Sequence, residues 1–208
     1  MYTLKKQKKI IDLKMLNLPL FPLNLVLLPY ENLPLHIFEP RYKQMVKNAL
    51  EEDNPFGIIL KQGKEVFYKG CGVKVTKVFK EYQNGEYDIL VKGTELFDVV
   101  STKMDGDTMI GEVKYIAIEN DIDKIHFQEL QDTYLKVLLR FGVNTDLEVH
   151  MSKKISYEFL EGIQLPIMVK KDILEINKES ERLLFVNKIF QNILKSDIQS
   201  DNNQKPEA

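Results

Sequence analysis

Prolines are concentrated near the amino end of the chain. Five of the eight fall between Pro19 and Pro40, in the run LPLFPLNLVLLPYENLPLHIFEPRY. Leu is the commonest residue between them and is accompanied by Ile, Val and Phe, which is the composition of buried chain and not of a flexible linker. Proline fixes φ and removes a backbone donor, so neither a regular helix nor a central strand can run unbroken through this segment. The run therefore predicts short strands or extended arms, kinked at fixed places and laid across a core.

Composition and charge bound the class of protein. The 208 residues suit one large domain or two small ones, with 44% hydrophobic and 29% charged residues, as in ordinary globular proteins. A formal net charge of -2 gives no global basic field for nucleic acid or an anionic membrane. The apolar residues 16–29 are too few and too interrupted by proline to span a bilayer. We expect a cytoplasmic protein without a membrane partner.

The chain divides into four parts by composition. Residues 1–15, which hold five lysines, are expected to form an arm, and residues 16–118 have the short alternating runs and turn signals of strands. Residues 119–196 have apolar residues at helical spacing. Residues 197–208 are polar, and we expect this tail to be disordered.

Local signals in the first half predict individual helices, strands and turns. Pro40 suits the first turn of a helix, which is continued by apolar residues at helical spacing. These residues are Tyr42, Met45, Val46 and Ala49. Residues 56–60 predict a short buried strand, and turns are expected at Gly63, at Asn84-Gly85 and at Gly106. A bulge is expected near Thr76-Lys77, where the alternation slips. Such strands and turns are typical of a barrel or a sandwich.

The second half predicts helices. Six apolar residues share one helical stripe: Phe127, Leu130, Tyr134, Val137, Leu138 and Phe141. We expect Ser152 to cap a second helix that carries Ile155, Phe159 and Ile163. A last helix should begin at Asn177 or Ser180 and be buried on most of its circumference. Its polar strip is narrow and consists of Asn187, Lys188, Gln191 and Asn192.

Catalytic chemistry has no recognisable motif in this chain. The sequence contains neither a G-x-S-x-G elbow nor a G-x-x-x-x-G-K-[ST] phosphate loop. The histidines His36, His126 and His150 have no metal-ligand spacing, and we expect His36 to be a hydrogen-bonded structural residue. The single cysteine, Cys71, excludes an intrachain disulfide and is expected to be structural. We therefore expect no enzymatic activity, no catalytic residue, no metal and no cofactor.

The amino-terminal run closely resembles the start of the Lon substrate-binding domain, the N-terminal domain of Lon-type proteases. The resemblance continues through FGIIL, GCGVKVTKV and NGEYDILVKGTELFDV, and through ISYEFLEGIQLPIMVKKDILEI and ESERLL in the helical half. It covers about residues 16–195. It implies an α+β fold, with an N-terminal PUA-like pseudo-β-barrel subdomain followed by a C-terminal α-helical bundle.

The same resemblance implies a role in recognising unfolded or extended polypeptide clients. The chain has no counterpart of the ATPase and serine–lysine protease modules of those enzymes, so it is expected to be a free-standing member of the family and a binding module without peptidase activity. We expect a function such as an adaptor in protein quality control. A separate ATPase or protease is a possible partner, and the chain could form homo-oligomers.

Apolar side chains and sheet edges left open by the kinked segments would form the binding surface, by strand addition or hydrophobic capture. Seven residues are the candidate contacts: Leu28, Pro29, Tyr30, Phe38, Glu39, Arg41 and Tyr42. The alternative is that Phe38 and Tyr42 belong to the core, while residues 39–41 only fix the start of a helix.

Two other functions stay open. The PUA-like relationship and the lysines of residues 1–15 point to RNA binding, but the net charge and the lack of aromatic residues among those lysines argue against nucleic acid as a partner. A small-molecule effector pocket between the two halves is the second alternative, because concave sites often lie between subdomains.

Overall fold

The structure is a computed structural model that describes residues 15–52, 54–143 and 147–202. Its strands are β1 (Leu16–Leu23), β2 (Asn32–Ile37), β3 (Phe56–Gln62), β4 (Glu65–Glu81), β5 (Tyr87–Asp105) and β6 (Thr108–Tyr115). Its helices are α1 (Pro40–Glu52), α2 (Lys124–Arg140), α3 (Leu147–Met151), α4 (Ile167–Glu175) and α5 (Glu179–Asn202), with a 3₁₀ helix at Ser156–Leu160. The predicted α+β class is confirmed.

Strand β5 joins the sheet into a ring. The strand order is β2-β5-β4-β3-β1-β6, and β6 returns to pair with β5. The β1–β3 pair is parallel, and every other pair in this sheet is antiparallel. The amino-terminal part of β5 lies between β2 and β4, whereas its carboxy-terminal part pairs with β6. Strand β2 is therefore attached to the outside of a ring of five strands.

Strand β1 runs through two prolines because its two neighbours are staggered. Pro19 is in register with Ile110 of β6, and Pro22 is in register with Ile59 of β3. Only Leu20 has a partner on both sides. Each proline thus lies where β1 has a single neighbouring strand, so its missing N–H can face away from that neighbour. The prediction of short strands is confirmed, and the stagger explains how the prolines fit.

The core consists of two apolar clusters. The smaller comes from strands alone and contains Leu18, Leu20, Ile59, Phe97, Val99 and Val113. The larger joins the sheet to α1, α2, the 3₁₀ helix, α4 and α5. In it, the Tyr134 ring of α2 lies 5.2 Å from that of Phe159 and 5.6 Å from that of Phe190, measured between centroids. Tyr134 therefore sits where α2, the 3₁₀ helix and α5 meet.

The predicted stripe of α2 is largely confirmed. Leu130, Tyr134 and Val137 are buried, and Phe127 and Leu138 are packed against the same cluster. Phe141 is the exception, because the helix ends at Arg140 and its C-cap residue Phe141 is 56% exposed. A helical stripe does not extend past the residue at which the helix ends.

The helix predicted from Ser152 is wrong. Helix α3 ends at Met151, and the chain then passes through an extended Ile155 (φ -138°) into the 3₁₀ helix. The Glu158 side chain accepts hydrogen bonds from the backbone N–H groups of Lys154 and Ile155, which fixes this short turn. Phe159 is buried as expected, but in a 3₁₀ helix.

The last helix, α5, begins at Glu179, between the two predicted starts. Asp121 accepts hydrogen bonds from the Ser180 N–H (3.0 Å) and hydroxyl (2.6 Å), and so satisfies a donor of the first turn. Asn187 is buried and is not part of an exposed strip, whereas Lys188, Gln191 and Asn192 are exposed. The helix continues to Asn202, past residue 197, at which the tail was expected to begin.

Residues 1–14 and 203–208 lie outside the described residues, and the division of the chain into subdomains remains a prediction. Strands end at Tyr115, and α2 begins at Lys124. Among the described helices, none combines the length and the apolar character needed to cross a membrane.

A buried ion pair fastens α5 to the 3₁₀ helix. Glu179 and Arg182 are 1% and 0% exposed and are paired with each other. Glu179 also accepts from the Ser156 N–H (2.6 Å) and hydroxyl (3.1 Å), and Arg182 donates to the Ser156 Oγ (2.9 Å) and the Ile176 carbonyl (2.5 Å). The Arg182 guanidinium lies 4.3 Å from the Tyr157 ring centroid. Each partner is costly to remove because the other would stay charged and buried.

We predict that Glu179→Ala lowers the free energy of unfolding by about 3–5 kcal/mol, because it leaves Arg182 buried without its counter-charge. Glu181→Ala is the matched control, since Glu181 lies in the same helical turn and forms an exposed pair with Lys178 at 3.4 Å. The control should lose less than about 1 kcal/mol. Urea unfolding followed by circular dichroism measures both, and equal losses would contradict this account of the ion pair.

Candidate functional site

The seven candidate residues lie at the two ends of β2. Leu28, Pro29 and Tyr30 precede the strand, and Phe38, Glu39, Arg41 and Tyr42 follow it. Phe38 is 58% exposed, Arg41 is also exposed, and Tyr30 and Glu39 are half-buried. Leu28, Pro29 and Tyr42 are buried, so they shape the surface from below and are not open to a ligand.

The residues before β2 form a strained turn. The Glu31 N–H donates to the Leu28 carbonyl (3.2 Å), and Tyr30 has φ 67°. With Pro29 at the second position, this is the arrangement of a type II turn, whose third position usually holds glycine. Tyr30 is the one non-glycine residue with positive φ among residues 15–52, 54–143 and 147–202. Strain of this kind is retained where the side chain or the turn has a task.

The turn rests directly on the backbone of β5. The Tyr30 N–H donates to the Gly93 carbonyl and the Gly93 N–H to the Glu31 carbonyl, both at 2.9 Å. A Cβ added at Gly93 would lie 2.2 Å from the Leu28 carbonyl oxygen, which is far inside van der Waals contact. Only glycine therefore lets the turn approach the strand this closely.

Polar contacts tie this end of β2 to the helical half. Glu31 accepts from the Leu28 N–H at 3.0 Å and pairs with Lys170 of α4, which also donates to the Val26 carbonyl at 3.3 Å. Asn32 donates to Glu161 at 2.8 Å, beyond the 3₁₀ helix. The turn is thus held from both sides, by β5 and by the helices.

At the other end of β2, Glu39 and Arg41 are engaged with each other. The Arg41 Nη2 lies 2.5 Å from the Glu39 Oε2, and the Arg41 guanidinium lies 4.7 Å from the Tyr42 ring centroid. The Glu39 carbonyl accepts from the N–H groups of Tyr42 and Lys43, each at 3.0 Å, in the first turn of α1. These contacts favour a helix-starting role for Glu39 and Arg41, whereas Phe38 projects into solvent.

Phe38 belongs to an aromatic group on the outer face of the sheet, which is the face of β2, β5 and β4 that points away from the core. Its ring stacks on His36 with centroids 5.9 Å apart, and Tyr82 meets His36 edge-on at 6.0 Å. The Asp88 carboxylate accepts from the Tyr82 hydroxyl and lies opposite the His36 Nδ1, both at 2.7 Å. The prediction of a hydrogen-bonded structural His36 is confirmed. Tyr82 and Asp88 were not predicted, because only the strand register brings them beside His36.

Hydrogen bonding sets the protonation of Asp88. The bond from Tyr82, followed by that from His36, lowers the pKa of the Asp88 carboxyl below its usual range. Asp88 therefore stays ionised well into mildly acidic solution and holds both rings in place.

The backbone of β2 disfavours the addition of another strand at its free edge. Because the Glu31 carbonyl faces β5, the alternation of an antiparallel strand turns the backbone groups of Asn32, Pro34 and His36 away from β5. Pro34 has no N–H to offer there, and an edge proline discourages the addition of another strand. Recognition by side chains is thus favoured over strand addition at this edge.

Other features are consistent with a structural interior. Burial raises the pKa of the Cys71 thiol to about 12, so the expected structural role of this cysteine agrees with its environment.

An open cavity of about 730 Å³ lies between α1 and the β4–β5 turn, with Lys43, Lys47, Glu51 and Glu81 among its lining residues. This cavity lies on the strand side of the molecule, not between the halves. Within the described ranges, no three acidic, histidine or cysteine side chains come together as a metal site.

Comparisons with known proteins agree with this fold. The sequence model described as ATP-dependent protease La (LON) substrate-binding domain matches residues 17–192. The chain is similar to a Lon N-terminal domain protein from Xanthomonas campestris, with 22% identity, a TM-score of 0.62, and coverage of 81% of this chain and 95% of that one. It is also similar to the N-terminal domain of a Mycobacterium avium complex Lon protease, with 16% identity, a TM-score of 0.68, and coverage of 84% and 98%. No curated protein matches.

We predict that Gly93→Ala destabilises the protein by about 1–3 kcal/mol or more, because the new methyl meets a backbone carbonyl that cannot move without opening the turn. Gly72→Ala is the control, since its Cβ would meet the Thr94 hydroxyl at 3.1 Å, a contact that a side-chain rotation relieves. Thermal unfolding of both variants is the measurement. A Gly93→Ala protein as stable as Gly72→Ala would show that the close approach is not required.

We predict that Tyr82→Phe raises the pKa of Asp88 toward its ordinary value, because the lost hydroxyl is the largest cause of the lowered value. A lowered folded-state pKa stabilises the fold above the unfolded-state pKa, and this stabilisation disappears as the pH falls through the folded-state pKa. In acid titration, the variant should therefore lose the contribution of Asp88 to stability at a higher pH than the wild type does. Carboxyl-carbon NMR reports the Asp88 pKa directly. An unchanged pKa would contradict the assigned cause.

Proposed function

Because the chain belongs to the ATP-dependent protease La (LON) substrate-binding domain family, we propose that it binds extended segments of polypeptide clients through the aromatic group of Phe38, His36 and Tyr82. The observation that carries the proposal is the 58% exposure of Phe38 beside the rings of His36 and Tyr82, which Asp88 holds in place. These three rings are called the platform below. A free aromatic surface on a rigid sheet is suited to capturing apolar side chains.

Side-chain capture has sufficient energy for weak, reversible recognition. Burial of one large apolar side chain contributes about 1.5–3 kcal/mol, so two or three contacts give the modest affinity that transient client binding requires. The platform is rigid because β2, β5 and β4 are paired beneath it. Little conformational entropy is therefore lost when a client binds.

The strained turn at Tyr30 extends the same surface along β2. Tyr30 is half-buried, and the Lys92 ammonium lies 5.9 Å from its ring centroid. A client segment lying along the outer side of β2 would pass from Phe38 to Tyr30, a span of about 25–30 Å for the intervening residues of an extended strand. The exposed Phe38 and the half-buried Tyr30 would then act together.

We further infer that the chain acts as an adaptor in protein quality control and delivers clients to a separate ATPase or protease. The support is its family, whose name associates the domain with an ATP-dependent protease. The ring of β5, β4, β3, β1 and β6 supports a pseudo-barrel of PUA-like kind, and α2, α4 and α5 support a helical bundle.

The test uses a labelled, disordered peptide of about 12 residues, long enough to reach from Phe38 to Tyr30, with several Leu and Phe residues and equal numbers of Lys and Asp. We predict that Phe38→Ala weakens its binding about tenfold, the effect of losing one apolar contact. Phe141→Ala is the matched control, because Phe141 is 56% exposed in the helical half. Fluorescence anisotropy measures both. A wild-type protein that binds no peptide, or equal losses in the two variants, would refute the proposed surface.

A further inference from the structure

Three rows of neighbouring residues cross the outer face of β2, β5 and β4. The rows are His36–Asp88–Lys80, Pro34–Leu90–Lys77 and Asn32–Lys92–Lys74. Residues in register across a sheet share one face. The alternate residues of β5 face the core, as the full burial of Ile89 and Val91 shows. Lys74, Lys77, Lys80 and Lys92 thus share one solvent-facing surface, here called the basic sheet face.

Two bulges in β4 bring its three lysines onto this face. Lys74, Lys77 and Lys80 are spaced by three residues, and in a regular strand that spacing would place Lys77 on the opposite face. The register shifts between Val75 and Lys77, and again between Val78 and Lys80, so each bulge inserts one residue and restores the phase. The two bulges in β4 therefore place its three lysines on the same face.

The basic sheet face opposes the charge of the whole chain. The net charge of the protein is -2, yet the three rows hold four lysines and one carboxylate, Asp88. That carboxylate is already engaged by Tyr82 and His36. Lys92 lies 3.7 Å from Glu161. Lys77 and Lys80 of β4 are exposed on this face, where a ligand can reach them.

Aromatic rings accompany the lysines on this face. The Lys77 ammonium lies 4.8 Å from the Phe79 ring centroid and the Lys80 ammonium 4.2 Å from that of Tyr82. Phe79 is 54% exposed, comparable to Phe38 across the sheet. A ligand that fits must offer negative charges and apolar groups at short intervals.

We propose that the basic sheet face selects acidic segments among the polypeptide clients, a specificity that rests on the proposed function. Aspartate and glutamate side chains of a bound segment pair with Lys77 and Lys80, while its apolar side chains cover Phe79 and Phe38. Electrostatic complementarity of this kind chooses partners more than it adds affinity.

A polypeptide fits this face better than a nucleic acid strand does. Glu86 lies 3.6 Å from the His36 Nε2 at one end of the rows, and Glu161 lies beside Asn32 at the other. A phosphate backbone carries a charge at every nucleotide and would run against these carboxylates. A peptide places its acidic residues only where the lysines are.

The experiment compares three labelled peptides of equal apolar content whose net charges are acidic, zero and basic. We expect the wild-type protein to bind the acidic peptide about tenfold more tightly than the neutral one, since each exposed pair contributes modestly. The preference should shrink as salt is raised. Lys77→Gln with Lys80→Gln should abolish the preference for the acidic over the neutral peptide.

The matched control is Lys103→Gln with Lys114→Gln, which removes the same charge from exposed positions on β5 and β6. This control should keep the preference. Equal binding of all three peptides, or equal effects of the two double variants, overturns the selectivity while the proposed function stands. If no peptide binds the wild type, the proposed function itself fails. Tighter binding of a single-stranded RNA, lost with Lys77 and Lys80, overturns the inference in favour of nucleic acid.

Discussion

The close approach of one turn to β5 at Gly93 determines how the rest of the molecule is arranged. The chain leaves β1 inside the ring and must begin β2 on the outer side of β5, and it does so by resting residues 28–31 on the Gly93 backbone. No side chain fits between them, since the Leu28 carbonyl occupies the place of a Cβ. The same turn presents Glu31 to Lys170 of α4, so the position of β2 and the docking of the helices are fixed at one point. The outer face that carries the candidate site exists because β2 is added there.

That outer face owes its chemistry to irregular features of the strands. Pro34 removes a donor from the exposed edge of β2, and bulges interrupt β4 where it extends beyond β3. Both features are known to discourage the edge-to-edge pairing of strands. Binding at this surface therefore depends on side chains. Phe38 and Phe79 are exposed there, with lysines between them. A sheet that resists strand addition can still bind a polypeptide, provided that it contacts the side chains of the polypeptide and not its backbone.

Local chemistry in the sequence predicted much of the fold. Pro40 begins α1, residues 56–60 are a buried strand, and the turns at Gly63, Gly85 and Gly106 have the positive φ that those positions require. The sequence failed where long-range contacts decide the structure. A helix from Ser152 was expected from a capping residue and apolar spacing, but Ser156 is instead held by Glu179 and Arg182, far along the chain, which fixes a 3₁₀ helix. Phe141 follows the end of α2 and is exposed, which helical spacing alone cannot reveal.

The sequence indicated where an accessible surface lies, but not which other side chains complete it. The amino-terminal run directed attention to both ends of β2, and Phe38 and Tyr30 do lie at an accessible surface there. Burial of Leu28, Pro29 and Tyr42 could not be read from a segment in which most residues are apolar or aromatic, because buried and exposed positions there carry the same residue types. The partners of Phe38 come from β4 and β5, and they are set by a register that two bulges shift. Because a spacing of three residues ordinarily scatters side chains over both faces of a strand, the lysines of β4 resemble an ordinary solvated strand in the sequence. They form one surface only when the pairing with β5 is known.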